Sequence, residues 1–549
     1  MIALWLLACG SEGPLPDPPD KDTGTVTGGP TWSEPDRFSP LPAPRLLRRM
    51  SLDLLGVLPS TADLDRVEAD PTAVGPLRDA LLEDPRLEDR LVQLLADRFL
   101  TRIDTFPLSH RDYDLDDELE HAFEVAVGEE PLRLMAHVAV NDLPWSDIVT
   151  ADYTLANGLL RDVWPLESNE DTEDWAIATW TDGRPAVGIL ASNGLWWRYA
   201  TTPFNYNRSR AAAVSRLLLC EDYLARPVSL ASSPTLADED GTEQAVREDP
   251  ACLACHVTMD PLAAAFFGFW WFDIYDTQEL TYYHPEREPY NEVFLGMGSS
   301  YFGHPVSGLA EVGLAVGEDP RFRTCAAETV ASSLWRRPIT VEDFDHVEYL
   351  REVFEAGELR LKVLLAAVTD SNEYQADTIL DGGDDGGAVT ARLITPSQLR
   401  TALEDLTGFT WTSEGFEQLG NDDQGYRTMA GGVDGTTVTS PQLSPSLSQA
   451  LVAQRYAEAA ASYAVRRELL DDESDALLPG VGLDSEPGDA VWDDAVAALG
   501  WRLFGERLSE AEREELAALW RHVEGSDGAD DAWTAILTVL FRDPRMQST

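Results

Sequence analysis

The 549-residue sequence predicts a mainly α, multi-domain helical architecture, and three observations carry that reading. Apolar residues recur at helical spacing along most of the chain. At about 150 residues per domain, the length allows three or four units, each able to bury a core. A helical phrase near residue 46 returns near residue 398, beyond an Asp/Gly-rich break, which predicts an internal repeat. Hydrophobic residues make up 44% and charged residues 25%, so the chain is not disordered as a whole.

Residues 1–9 read as a lipoprotein signal. The stretch Met1 to Ala8 is apolar and runs into Cys9 through Leu6-Leu7-Ala8, which makes Cys9 the expected lipidation site and a lipid anchor the expected link to a membrane. The basic region that opens an export signal is missing, which points to a signal truncated by a misplaced start; a short buried terminal strand is the alternative. Residues 10–36 are rich in Gly, Pro, Ser, Thr and Asp without apolar period, as in a flexible tether.

Residues 37–185 form the expected N-terminal helical domain. Leu47, Met50 and Leu54 repeat at helical spacing up to Gly56 and Pro59, Ser60 to Asp63 opens the next helix as a capping box, and Arg86 to Phe99 keeps the same period. Residues 186–378 form the next unit, with a helix over Ala211 to Cys220 and an irregular segment from Tyr275 to Ser307. Residues 379–390 are an Asp/Gly linker, and 391–549 are a second helical unit. LLRRMSLDLLG (Leu46 to Gly56) matches QLRTALEDLTG (Gln398 to Gly408) at Leu47/Leu399, Arg48/Arg400, Asp53/Asp405, Leu54/Leu406 and Gly56/Gly408. The phrase from Arg336 to Leu350 resembles the phrase from Gly505 to Leu519, with closing phrases Ser371 to Tyr374 and Arg542 to Met546.

The charge balance excludes whole classes of function. Asp and Glu number 97 against 41 Lys and Arg, a net charge of −56, and Lys21 and Lys362 are the only lysines. Such a field repels phosphate backbones and anionic lipid, so no nucleic-acid partner is expected, and the acidity reads as surface solvation. No apolar run approaches the roughly 20 residues that cross a bilayer, and the longest, Leu262 to Phe272, reads as aromatic core. GxSxG, HExxH and Gly-rich phosphate loops are absent. The acidic runs Asp381 to Asp385 and Asp471 to Asp475 lack the ligand order of a calcium loop and read as linkers.

Cysteine placement carries the strongest signal. Beyond Cys9, the cysteines are Cys220, Cys252, Cys255 and Cys325. Cys252-Leu253-Ala254-Cys255-His256 has the spacing that attaches c-type haem: two thiols on one helical turn reach the two vinyl groups, and the next imidazole lies beneath the iron. Haem c is therefore the expected cofactor, with His256 as the proximal metal ligand. The alternatives are half of a zinc site, for which no second Cys/His pair stands at suitable spacing, and a redox dithiol, whose βαβ context is missing. Haem attachment in bacteria takes place outside the cytoplasm, which agrees with the Cys9 signal and predicts a cell-envelope location, periplasmic or outer-membrane. Cys220 and Cys325 bracket the motif and either pair as a disulfide or stay buried and reduced.

The sixth ligand decides between electron transfer and chemistry at iron. Met259 follows His256 by three residues and falls on the same side of the ring. On separate segments, the favoured candidates are Met297, whose neighbours Gly296 and Gly298 permit close approach, and His304; His284 and an open position are the alternatives. The rings of Phe266, Phe267, Phe269, Trp270, Trp271 and Phe272, with Tyr282, Tyr283 and Tyr301, suit a haem wall or an ordinary core equally.

The phrases RLLRRMSLDLLGVLPS, RSRAAAVSRLLLCEDYLARP, CLACHVTMDPLAAAFFGFWWFD and CAAETVASSLWRRPITVEDFDHVEYL resemble the planctomycete-type cytochrome c proteins, large exported bacterial chains built from domains of unknown function. The resemblance runs in order over residues 45–378 and more loosely over 394–465. It implies covalent haem at Cys252, Cys255 and His256, cysteines at the positions of Cys220 and Cys325, and an outer-envelope location, and it supplies no substrate. Ala263 and Ala264 stand after Asp260-Pro261-Leu262 where relatives tend to have a glycine.

The resulting expectation is a c-type-cytochrome-like haem module joined to a second, haem-less helical repeat, working as a tethered relay of single electrons to or from a redox partner protein. One alternative is a haem enzyme, peroxidase- or oxidase-like, with His284, His304 or Glu288 as acid or base. Another is a structural or carbohydrate-surface lipoprotein.

Overall fold

The computed structural model describes residues 37–226, 239–380, 389–413, 415–471, 473 and 476–549. Cys9, the 10–36 tether and residues 381–388 of the linker lie outside the described residues. The fold is 60% helix and 6% strand, with 23 helices among the described residues, which makes it mainly α. The strands form short antiparallel ladders, and one of them, Phe38–Pro40 against Ala376–Ile379, brings residue 38 beside residue 379.

Two large cores share one helix. The larger core takes side chains from Leu41 through Tyr374 without a break at 185/186, and Trp501 joins it from the C-terminal unit. The smaller core runs from Ile394 to Met546. The helix Ala43–Leu55 gives Leu47, Met50 and Leu54 to the larger core and Leu52 to the smaller one, and Leu58 just beyond it joins the smaller. It ends where the sequence predicts, at Gly56, whose left-handed φ of 75° a side chain would resist.

Polar groups on the same helix fasten the two units together. Arg48 donates from Nε to the Leu503 carbonyl at 2.6 Å and from Nη1 to the Ser548 carbonyl at 2.9 Å. Arg49 points the other way, to the carbonyls of Tyr374 at 2.5 Å and Thr390 at 2.8 Å. Asp53 accepts from the Tyr374 hydroxyl at 3.0 Å and from Gln398 Nε2 at 2.8 Å. These groups are buried, so each unmade bond would cost about 1–3 kcal/mol.

The paired phrases adopt matching local geometry. Gly408 closes the helix Pro396–Thr407 at φ 73°, as Gly56 closes its counterpart. The helix Pro320–Trp335 ends on left-handed Arg336, and Thr340 with Asp343 forms a capping box that leads into the helix Phe344–Ala356. Likewise, Ala490–Phe504 ends on left-handed Gly505, and Ser509 with Glu512 caps Glu510–Asp527.

The stretch Pro250–Phe269 is long and apolar enough to cross a membrane, 20 residues, longer than the run expected from composition. It is longer because the helix Pro250–Ala263 continues directly into the turn Ala264–Phe269. Half of it is buried in this fold, and Phe266 and Phe267 are fully enclosed by the larger core.

Arg337 bridges two buried carboxylates, with Nη2 2.6 Å from Asp343 and Nε 2.6 Å from Glu373. Burial alone would raise the Asp343 carboxyl, but hydrogen bonds from Arg337 and the Thr340 N–H outweigh it and hold the group below its ordinary 3.8. Its contribution is complete above the unfolded value and is lost as pH falls through the depressed folded value. Arg337→Met should lower stability by about 3–5 kcal/mol at neutral pH, read from urea midpoints, because both carboxylates stay buried without their counter-charge.

Candidate cofactor site

The helix Pro250–Ala263 carries Cys252, Cys255, His256 and Asp260. Asp249 starts it by accepting the Ala251 N–H, with Pro250 at the first helical position, where no N–H is needed. Three- and four-residue spacing puts Cys252, Cys255 and His256 on one face, and both thiols are half-buried and free. Burial, with Asp249 and Cys255 nearby, pushes the Cys252 thiol up.

His256 is held from behind. Its Nδ1 lies 2.8 Å from Asp260 Oδ1, one helical turn on, and Nε2 has no partner among the described residues. Asp260 is itself buried and gripped by Arg208, Nε to Oδ1 at 2.7 Å and Nη2 to Oδ2 at 2.8 Å. Burial would raise the Asp260 carboxyl, yet the hydrogen bonds from Arg208 and His256 together hold it below the ordinary range. An ionised acceptor at Nδ1 fixes the tautomer whose Nε2 lone pair is free for a metal.

The helix Arg208–Leu218 packs along the Cys–His helix and supplies this grip from its first residue. At its far end, Tyr223 donates to or accepts from Thr258 at 3.0 Å, and Arg226 donates to the Ala254 carbonyl at 3.0 Å. The same end carries Cys220, which is joined to Cys325 as a disulfide. The 105-residue separation closes a loop containing the whole motif, and such a closure removes about 4–5 kcal/mol of chain entropy from the unfolded state.

An aromatic layer adjoins the Arg208–Asp260 pair. Tyr206 stacks on Trp270 at 6.0 Å and on Phe294 at 5.7 Å, and Phe267 stacks on Trp270 at 5.4 Å. Trp270 Nε1 is buried there without an acceptor among the described residues. Phe272, expected with the wall, is exposed instead. Met297 and Met259 are half-buried against the larger core. His304 is exposed on the hairpin that pairs it with Tyr301. His284 has both ring nitrogens engaged, Nε2 with the Glu279 carbonyl at 3.2 Å and Nδ1 near Glu286 at 3.4 Å, and Glu288 accepts the Tyr283 hydroxyl at 2.6 Å.

The donor set fits a covalently attached haem: two free thiols, one imidazole with an uncommitted Nε2, and an orphan indole N–H in the adjoining ring layer. It does not fit a structural zinc, since no group of three His, Cys, Asp or Glu converges among the described residues. Asp260 and Arg208 belong to this candidate site and are not among the ligand candidates that the sequence points to. The i,i+4 spacing of His256 and Asp260 was the available signal, while Arg208 lies 52 residues away in the chain. No family model, curated protein or solved structure matches the chain.

Asp260→Asn should cost about 2–4 kcal/mol, because Arg208 loses its buried counter-charge. Imidazole nitrogen NMR shifts should move from one fixed tautomer toward a mixture, whereas unchanged shifts would mean that Asp260 does not set the tautomer.

Proposed function

We propose that the chain is an exported, membrane-tethered monohaem c-type cytochrome that relays single electrons to or from a redox partner protein in the cell envelope. The observation that carries this reading is the helix on which two free thiols stand beside an imidazole whose Nδ1 is engaged by a buried carboxylate. When bound, haem c supplies a one-electron iron couple. Cys252 and Cys255 hold it through thioether bonds, which keep a cofactor with its protein outside the cell. His256 presents Nε2 as the proximal ligand, and Asp260 orients that imidazole by accepting from Nδ1. Arg208 keeps Asp260 ionised and in place. The rings around Trp270 exclude water.

Met297 or His304 would be the second protein ligand, and Cys9 is the proposed anchor. The C-terminal unit is read as a second copy without the motif, a packing partner or binding surface; the matched caps at Gly56 and Gly408, and at Thr340 and Ser509, support that reading. The resemblance to planctomycete-type cytochrome c proteins supports the cofactor and the location.

A second reading, a haem enzyme with an open distal position, draws on the carboxylate behind His256, since an imidazole backed by a carboxylate suits chemistry at iron as well as electron transfer. With His284 and Glu288 already engaged, exposed His304 is its remaining acid/base candidate.

Visible spectroscopy of protein exported with a haem-attachment system tests the proposal. The account expects one haem per chain that survives denaturation, its loss in Cys252→Ser/Cys255→Ser, and a low-spin ferric spectrum that turns high-spin when Met297 or His304 is replaced. A colourless wild-type protein would overturn it, and a high-spin wild-type spectrum would favour the enzyme.

A further inference from the structure

A cleft of about 540 Å³ opens between the helices Arg86–Phe99 and Arg208–Leu218, the end of Pro320–Trp335, and the loop 439–443 of the C-terminal unit. Five arginines line it against two carboxylates, Asp97 and Asp222. In a chain with 97 acidic and 41 basic residues, that inverts the local balance. Arg337 is neutralised by Asp343 and Glu373. The other four are held by neutral partners, with no carboxylate at ion-pair distance among the described residues. Arg90 donates to the Asp53 carbonyl and to Ser397, Arg98 to the Arg216 carbonyl, and Arg336 to Gln398 at 2.7 Å, while Arg216 lies over the Tyr199 ring.

These contacts orient the guanidinium groups, and the neutral partners themselves cancel none of the charge. Arg98 Nε is buried with no acceptor among the described residues. Burial raises the Asp97 carboxyl despite Arg336 and Arg90 nearby, and Asp222 accepts from the Leu224 N–H at 2.8 Å. Arg336 occupies a left-handed position, φ 58°, where the matching helix ends on glycine, so the chain keeps a long cation at a place that favours a residue without a side chain. The volume is that of a small-molecule site, and the chain's net charge of −56 disfavours a polymeric anion.

We propose that this cleft binds a small oxyanion bearing two or more carboxylate, phosphate or sulfate groups, taken up by the forked donors of Arg98, Arg216 and Arg336. The proposal does not depend on the haem. Calorimetric titration of the full chain with citrate, pyrophosphate and a disulfated disaccharide, each against sodium chloride of equal ionic strength, tests it. At least one should bind saturably at a single site, and the one that does identifies the class. Arg216→Gln and Ser333→Asp should each weaken that binding about tenfold or more, the effect of losing or opposing one charge-assisted contact. Ser333→Asp adds a carboxylate to the cleft and keeps every arginine, so it gives an answer even if Arg216→Gln fails to fold. No saturation with any of the three up to about 10 mM, or equal affinity in a folded variant, would overturn the proposal.

Discussion

The carboxylate of Asp260 is the constraint on which the candidate site depends. It is buried, and it is ionised because Arg208 takes both of its oxygens while His256 donates to one. Without Arg208 the cost of burying that charge would favour protonation, and a protonated Asp260 would no longer fix the imidazole. One ion pair between neighbouring helices thus joins packing to chemistry: the contact that aligns the two helices also leaves His256 Nε2 free. The disulfide at the far end of the same helix pair and the ring layer beside Arg208 secure the arrangement at its two ends.

Arginine plays an unusual part in this acidic chain. With two lysines in the whole sequence, nearly every fixed cation is a planar, forked donor. Many are buried on backbone carbonyls, as Arg48 and Arg49 are where the two units meet, and act as cross-links between segments hundreds of residues apart. Burial lowers both, to about 10 and about 9, which still leaves them charged at neutral pH. Arg90 and Arg98 make the same kind of carbonyl contact, and what sets them apart is that they line one cleft together with Arg216 and Arg336.

Helix positions were legible where a local signal was complete. The run of Leu47, Met50 and Leu54 up to Gly56 specifies its own period and stop, and Ser60 does accept the Asp63 N–H. The aromatic run was legible in part: Phe266 and Phe267 are in the core, as the reading of Leu262 to Phe272 expects, whereas Phe272 is exposed. The unity of the larger core was not legible, since nothing local tells that side chains on either side of residue 185 share one interior. Arg48 and Arg49 of the Ala43–Leu55 helix carry no local sign of the carbonyls that receive them, from 325 to 500 residues onward. The grip on Asp260 was hidden for the same reason: its partner is distant in sequence, and long-range pairing leaves no periodic trace.

The cofactor is the central claim, and peptide mass spectrometry of the exported chain tests it most directly. The account predicts that the proteolytic fragment containing Cys252 to His256 carries the mass of one haem through both cysteines, which then resist alkylation. Recovery of that fragment unmodified, with both thiols alkylated, from protein exported in the presence of a haem-attachment system would contradict it.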